Sequence, residues 1–446
     1  MKRILFLAFL ATFGFASAVF AQSEVLIKNA TVMTAVRGTL ENTDILIKNG
    51  KIAKIGKNLK ASGAKVIDAS GFYVSPGIID AHSHMMLDAI NEISAAVTSF
   101  AHTRDVLNNT DSEIYQALAG GVTAANLLHG SANPIGGLNT VVKLKWGHPV
   151  EDFIFPGAPP GIKFAMGENV KRSRQMPDGS RRYPATRMGT LEVMRDAFVR
   201  ARDYKRAWDD YRAGKTKVQP KYSLELAPLV EVLEGKRLVH AHGYRADEHL
   251  NLLKLADEFG FKIATLQHGL EAYKIAPEIK KYGAGVSIFV DYWGYKLEAY
   301  DAIPYNAYIL WKNGVLVSIN SDSGERIRRL NLDAAKVMKF GGIPEEEALK
   351  MVTINPAKQL GIDKQTGSIE VGKDADIAIW SENPLSVYTR CEMTLVDGEV
   401  VFDRKLDAEL RLKREAERKA LEKLPQNQPP NKRVDSSSKT SEGGAQ

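Results

Sequence analysis

Residues 237–269 read RLVHAHGYRADEHLNLLKLADEFGFKIATLQHG, and the succession of textures in that stretch decides the fold. Leu238 to Gly243 is a short apolar run with histidine at a spacing of two, the period of a strand. Asp247 to Phe259 is a helical stretch, and FKIATLQHG (261–269) returns to a short apolar run ending in His268. A strand, a helix and a second strand in direct succession are βα repetition, which calls for a parallel sheet.

Working outward, the same short runs recur as GIIDAHSH (77–84), GVTAANLLHG (121–130), GIKFAMGE (161–168), GAGVSIFV (283–290) and GVLVSINSD (314–322), with another helix at 272–281. A strand at 95–102 would bring the total to eight, so residues 77–359 are expected to form a (β/α)8 TIM barrel in an α/β fold. The flanks differ. VLIKNATVMT, TDILIKNGKIAKIG and KVIDASGFYVSPG carry the alternation and the Asn-Gly and Ser-Gly breaks of hairpins, and the texture returns at 367–403. Residues 22–76 and 360–405 are therefore expected to build one small composite β-sandwich from both ends of the chain. Residues 171–236 form a basic insertion, expected as a solvated helical excursion with a helix at 191–213. Residues 406–446 are expected as a charged helix (about 407–424) and a disordered tail rich in Pro, Asn, Ser and Gly.

Over 446 residues, 44% hydrophobic and 25% charged side chains exclude a disordered, collagenous or polytopic membrane protein. The formal charge of +7 is dispersed rather than gathered into a stripe, so no nucleic-acid partner is expected. The single cysteine, Cys391, excludes an intramolecular disulfide and a thiolate metal site, and reads as a small buried hydrophobe. Lys2 and Arg3, the apolar run Ile4 to Phe20 and the small-residue end at Ala21 form a secretory signal over residues 1–21. The mature chain is thus expected to be secreted or periplasmic with no integral membrane span, an uncleaved N-terminal anchor being the rival reading.

Five of the nine histidines, His82, His84, His240, His242 and His268, fall at the ends of expected strands. In a βα barrel those ends share one face, where catalytic groups gather. The period of two puts His82 and His84 on one side of their strand, and Asp322 ends the eighth strand, so His82, His84, His240, His268 and Asp322 converge on the barrel mouth. For each, the plain alternative is a hydrogen-bonded core side chain, and His242, one pleat beyond His240, could replace it. Nitrogen and oxygen donors without thiolate suit divalent metal, zinc first, with manganese, iron, cobalt and nickel behind it. His102, His148 and His249 have no partners at ligand spacing.

The order GIIDAHSH, lysine-bearing strand, VHAH, QHG and NSDS, between Asn-Gly hairpins and a closing VGKDADIAIW, resembles the metal-dependent amidohydrolase superfamily over most of residues 25–403. The imidazolonepropionase-like and dipeptidase-like branches are the most similar. The resemblance implies two divalent metal ions, His82, His84, His240, His268 and Asp322 as ligands, and a carbon dioxide-derived carbamate on Lys163 as the bridge; Glu168 is the alternative bridge. Two ions sharing such a site would supply hydroxide near neutral pH. Asp322 is then ligand and general base, with His242 or His129 steadying the oxyanion. Tyr244, Arg245 and Arg187 are candidates to hold a substrate carboxylate, Tyr292 and Trp293 to form an aromatic wall, and GSANPIGGLN (130–139) to wall the pocket. The expected activity is hydrolysis of amide, cyclic amide or short-peptide C–N bonds in a small molecule, a dipeptidase foremost. A mononuclear imidazolonepropionase-like cyclic amidohydrolase and a non-catalytic binding protein are the alternatives, and a homo-oligomer stays open.

Overall fold

The Asn-Gly breaks do what their backbone demands. Asn49 and Gly50 take φ of 50° and 75°, the paired left-handed conformations of a type I′ turn, and Lys48 faces Lys51 across it. Asp397 and Gly398 repeat the device at 49° and 75° between strands Cys391–Val396 and Glu399–Asp403. The structure, a computed structural model, describes residues 24–171, 179, 182–292 and 294–423. The expected signal segment, the tail and Trp293 lie outside these.

Strands Val25–Met33, Thr39–Lys48, Lys51–Gly56, Lys65–Asp68 and Tyr73–Pro76 share one sheet with Ile377–Trp380, Cys391–Val396 and Glu399–Asp403. The two ends meet where Tyr73–Pro76 runs antiparallel to Ile377–Trp380, and alternate side chains, among them Ile27, Ile45, Ile47, Val74, Ile377 and Leu395, close a core.

Parallel pairing joins strand Ile78–Ser83 to Val122–Leu127, and Gly161–Ala165 through Leu238–Gly243, Ile263–His268 and Gly285–Ile288 to Val317–Ile319. Across the remaining seam the Asp322 N–H donates to the His82 carbonyl at 3.1 Å. The place between Val122–Leu127 and Gly161–Ala165 is filled against the grain: Thr140–Lys143 runs antiparallel to the former and Ile135–Leu138 to the latter. The architecture is a distorted TIM barrel with an auxiliary β-sheet.

Residues 95–102 form no strand; Val97 and His102 make single bridges to Ile135 and Leu138. The Ala95 carbonyl accepts from Arg182 Nη1 at 2.7 Å, as does that of Ile93 just before the segment. The second half of GSANPIGGLN is accordingly barrel strand as well as loop. The insertion, for its part, is not simply solvated. Helix Arg187–Arg212 buries Met194, Ala197, Phe198 and Ala201, and Phe198 stacks on Phe261 of the barrel with centroids 4.3 Å apart. Burying such a phenylalanine contributes about 1.5–3 kcal/mol.

The expected helix at 272–281 is a 3-10 turn, Ala272–Ile275, followed by helix Ala276–Tyr282, with Pro277 in its first turn, where a missing N–H costs nothing. Helix Arg404–Leu421 is a separate unit, internally braced by Asp407–Arg411 and Glu415–Lys419 pairs at 2.7 Å. Among the described residues no helix is long and apolar enough to cross a membrane.

Candidate metal centre

Asp80, His82 and His84 alternate along one strand and its exit, and their surroundings give each a task. Asp80 is fully buried. Its carboxylate accepts from the His82 N–H at 3.1 Å, the Ser321 N–H at 3.2 Å and the Ser321 hydroxyl at 2.5 Å, tying the first barrel strand to the residue before Asp322. His82 Nδ1 faces Gln267 Oε1 at 3.2 Å and His84 Nδ1 faces the Leu128 carbonyl at 2.8 Å. Both acceptors select the Nδ1–H tautomer, leaving each Nε2 lone pair for the site.

Those two Nε2 atoms stand 3.5 and 3.0 Å from Asp322 Oδ1, and the three side chains present ligand atoms within 4.8 Å of one another. Lys163 Nζ lies 3.1 Å from His82 Nε2, and His268 Nε2 3.8 Å from Asp322 Oδ2. His268 and Asp322 hold φ of 72° and 46°, left-handed conformations that cost non-glycine residues roughly 1 kcal/mol each. The chain bends there to aim both side chains inward.

Strand Leu238–Gly243 contributes two imidazoles on one face. His242 packs with its centroid 4.7 Å from that of His268, while His240 lies one pleat deeper, in register with Lys163. Of the interchangeable pair, the structure brings His242 to the imidazole cluster. Among the described residues the buried ring nitrogens of His240, His242 and His268 have no hydrogen-bond partner, a cost that a bound cation would remove.

Burial, reinforced by the Lys163 charge, holds His82 and His242 well below the usual imidazole range. Burial holds His268 below it too, against the pull of Asp322, and takes His240 to about 3, again with help from Lys163. Burial also lowers Lys163 to about 7 against the attraction of Asp322. For Asp322, burial pushes upward, but the His84 hydrogen bond and the charges of His268, His84 and Lys163 outweigh it and hold the carboxyl at about 2. Neutral imidazoles, an anionic carboxylate and orphaned nitrogens are a donor set that fits a divalent cation.

The remaining candidates separate. Tyr244 is buried, its centroid 4.8 Å from that of His242, and its hydroxyl lies 2.5 Å from that of Tyr295. Phe289, Tyr292 and Tyr295 continue an aromatic wall from His268, with successive centroids 4.5, 4.5 and 5.5 Å apart. His129 has both nitrogens committed, Nε2 accepting from the Glu92 N–H and Nδ1 facing the Gly130 carbonyl, each at 2.8 Å. Arg245 pairs with Asp247 at 2.9 Å on the surface. Arg187 binds Glu248 and, at 2.8 Å, Glu298. Glu168 lies not beside His82 but 4.0 Å from Lys296.

Lys296 was not singled out from sequence, yet its Nζ sits 4.2 Å over the Tyr244 ring at the edge of the imidazole cluster. Asp80 and Gln267 were also passed over; each stands at a short, readable spacing from a singled-out histidine. A second carboxylate group, Asp374, Asp376 and Asp397, already encloses the Lys143 ammonium, 2.7 Å from Asp374 and 3.2 Å from Asp376.

The family model described as "Amidohydrolase family" matches residues 305–401. The crystal structure of an amidohydrolase from Thermotoga maritima MSB8 is 35% identical, covers 85% of this chain and all of its own, and superposes with a TM-score of 0.80. Amidohydrolase tasK of Hapsidospora irregularis is 33% identical over 85% of this chain, which spans 43% of the length of tasK. An imidazolonepropionase of Thermoplasma volcanium is 23% identical over 82% of this chain and 92% of its own.

Proposed function

The chain belongs to the metal-dependent amidohydrolase superfamily, and on that premise we propose that it hydrolyses C–N bonds of amides, cyclic amides or short peptides, with dipeptides and N-acyl amino acids foremost. The observation that carries the reading is the convergence of His82, His84 and Asp322 within 4.8 Å, with Lys163 3.1 Å from His82 and the unpartnered nitrogens of His242 and His268 beside them. His82, His84, His268, Asp322 and either His240 or His242 would hold two divalent ions, zinc first.

Lys163 would bridge them as a carbamate. Its neutral amine would form an N–C bond to carbon dioxide and release one proton, which turns a buried neutral amine into an anion where anions are wanted. When bound, the ions supply carbonyl polarisation and a water acidic enough to act near neutral pH. Asp322, anionic across the neutral range, would take a proton from the attacking water as its oxygen bonds to the carbonyl carbon, and return it to the nitrogen as the C–N bond breaks. The products are a carboxylate and an amine. Tyr244 and, with His240 as the ligand, His242 would line the side on which the carbonyl oxygen gathers charge, and the Phe289, Tyr292 and Tyr295 wall would exclude water from the substrate side chain.

The signal pattern of residues 1–21 supports a secreted or periplasmic location. The likeness to an imidazolonepropionase over 82% of the chain favours, as a second reading, a cyclic amidohydrolase with one ion. Metal stoichiometry by plasma mass spectrometry, on mature protein purified without chelators in bicarbonate, separates the two. About two ions per chain, with turnover of dipeptides or N-acyl amino acids, is the expected result. One ion with lactam-ring opening would give the second reading, and no ion after reconstitution would overturn both.

A further inference from the structure

The insertion contains RYPATR (182–187), and the two arginines of that stretch reach opposite sides of the barrel mouth. Arg182 Nη1 donates to the carbonyls of Ile93 and Ala95 at 2.7 Å and to Asn133 Oδ1 at 2.8 Å, and Nη2 donates to the Ala132 carbonyl at 2.7 Å. Ile93 and Ala95 follow the strand of His82; Ala132 and Asn133 follow strand Val122–Leu127 and His129.

Arg187 works on the other side. Its Nε donates to Glu248, in the first turn of the helix after Tyr244, and Nη2 donates to Glu298 at 2.8 Å. Glu298, two residues beyond Lys296, in turn accepts from the Glu168 N–H at 3.0 Å, beyond the strand of Lys163. The backbone is shaped for this seat: Gly167 holds φ of 84°, and a Cβ there would stand 2.6 Å from Glu298 Oε1.

We infer that Arg182 and Arg187 are positioning residues, a two-point staple by which the insertion fixes five mouth loops around the metal centre. A guanidinium can serve separated acceptors at once because its donors are rigid and planar, which a lysine ammonium cannot imitate. The staple determines where Tyr244, Tyr295 and Lys296 stand, and displacements of an ångström in such groups are costly to turnover. The catalytic half of this inference rests on the proposed hydrolase; the structural half does not.

The test takes Arg182→Gln, Arg187→Gln and Arg187→Lys in the full-length, metal-loaded protein. Hydrogen exchange is expected to accelerate at least about tenfold in residues 91–95 and 131–133 for Arg182→Gln, and in 166–169 and 295–299 for both Arg187 variants. Strand Leu238–Gly243 and the metal content are expected to stay as in the wild type. With dipeptides or N-acyl amino acids as probe, kcat/KM is expected to fall about 100-fold, and Arg187→Lys not to restore it. Unchanged local exchange, unchanged kcat/KM, or uniform loss of protection with loss of metal would each overturn the positioning role. Failure of the wild type to turn over any probe would sink the proposed activity instead, while the exchange data still decide the staple.

Discussion

Replacing Asp322 with Asn tests the assigned base with little disturbance of shape, because asparagine accepts the backbone φ of 46° at least as readily as aspartate. Two separate losses follow from the geometry. The carboxylate lies 3.0 Å from His84 Nε2 and 3.5 Å from His82 Nε2, and its surroundings hold it at about 2 instead of 3.8. That difference corresponds to about 2 kcal/mol of stability at neutral pH. Because the folded value is the depressed one, this contribution is complete above pH 3.8, fades as pH falls through about 2, and is absent in the variant throughout. The urea midpoint of the metal-free variant should therefore be lower at pH 7, with the gap closing toward acid. In the loaded protein, loss of the proton carrier should reduce kcat about 10³-fold, or about 4 kcal/mol of barrier. Steady-state hydrolysis of an N-acyl amino acid measures this at matched metal content. A variant within about tenfold of the wild type would refute Asp322 as the base, since positioned proton transfer contributes 10²-fold or more.

Other outcomes follow from single side chains. Lys163→Ala should lose one ion per chain and recover part of its activity with added formate or acetate, whereas unchanged stoichiometry would end the bridging role. Lys296→Met should raise KM by about tenfold for substrates bearing a free carboxylate relative to their amides, the loss of one charge-assisted contact; an unchanged ratio would remove Lys296 from recognition. Lys143→Met should destabilise by about 3–5 kcal/mol, since Asp374 and Asp376 lose their buried cation, and an unaltered urea midpoint would contradict the ion network. N-terminal sequencing of the extracytoplasmic protein should begin at Gln22, and a chain retaining Met1 would refute signal cleavage.

What was legible in advance depended on local period. His82, His84, His240, His242 and His268 could be placed on strand ends because alternation and short apolar runs are properties of consecutive residues. The hairpins at Asn49-Gly50 and Asp397-Gly398 were readable for the same reason, a two-residue turn needing only its own φ angles. Asp80 was missed although it shares the face of His82. Its function, accepting from Ser321 across a separation of 241 residues, exists only once the barrel closes.

The sequence by itself determined the βα rhythm, the composite sheet and which imidazoles end on strands. Tertiary structure alone decided that His242 rather than His240 packs against His268, and that Lys163 rather than Glu168 meets His82. It also decided that an antiparallel segment, with no strand at 95–102, fills the place between Val122–Leu127 and Gly161–Ala165, and that Arg187 pairs with Glu248 and Glu298. The physical reason is common to all four. Period fixes which way a side chain points along its own element, but partner choice depends on how distant elements come together. A long arginine or lysine can reach several groups, and the packed barrel leaves one.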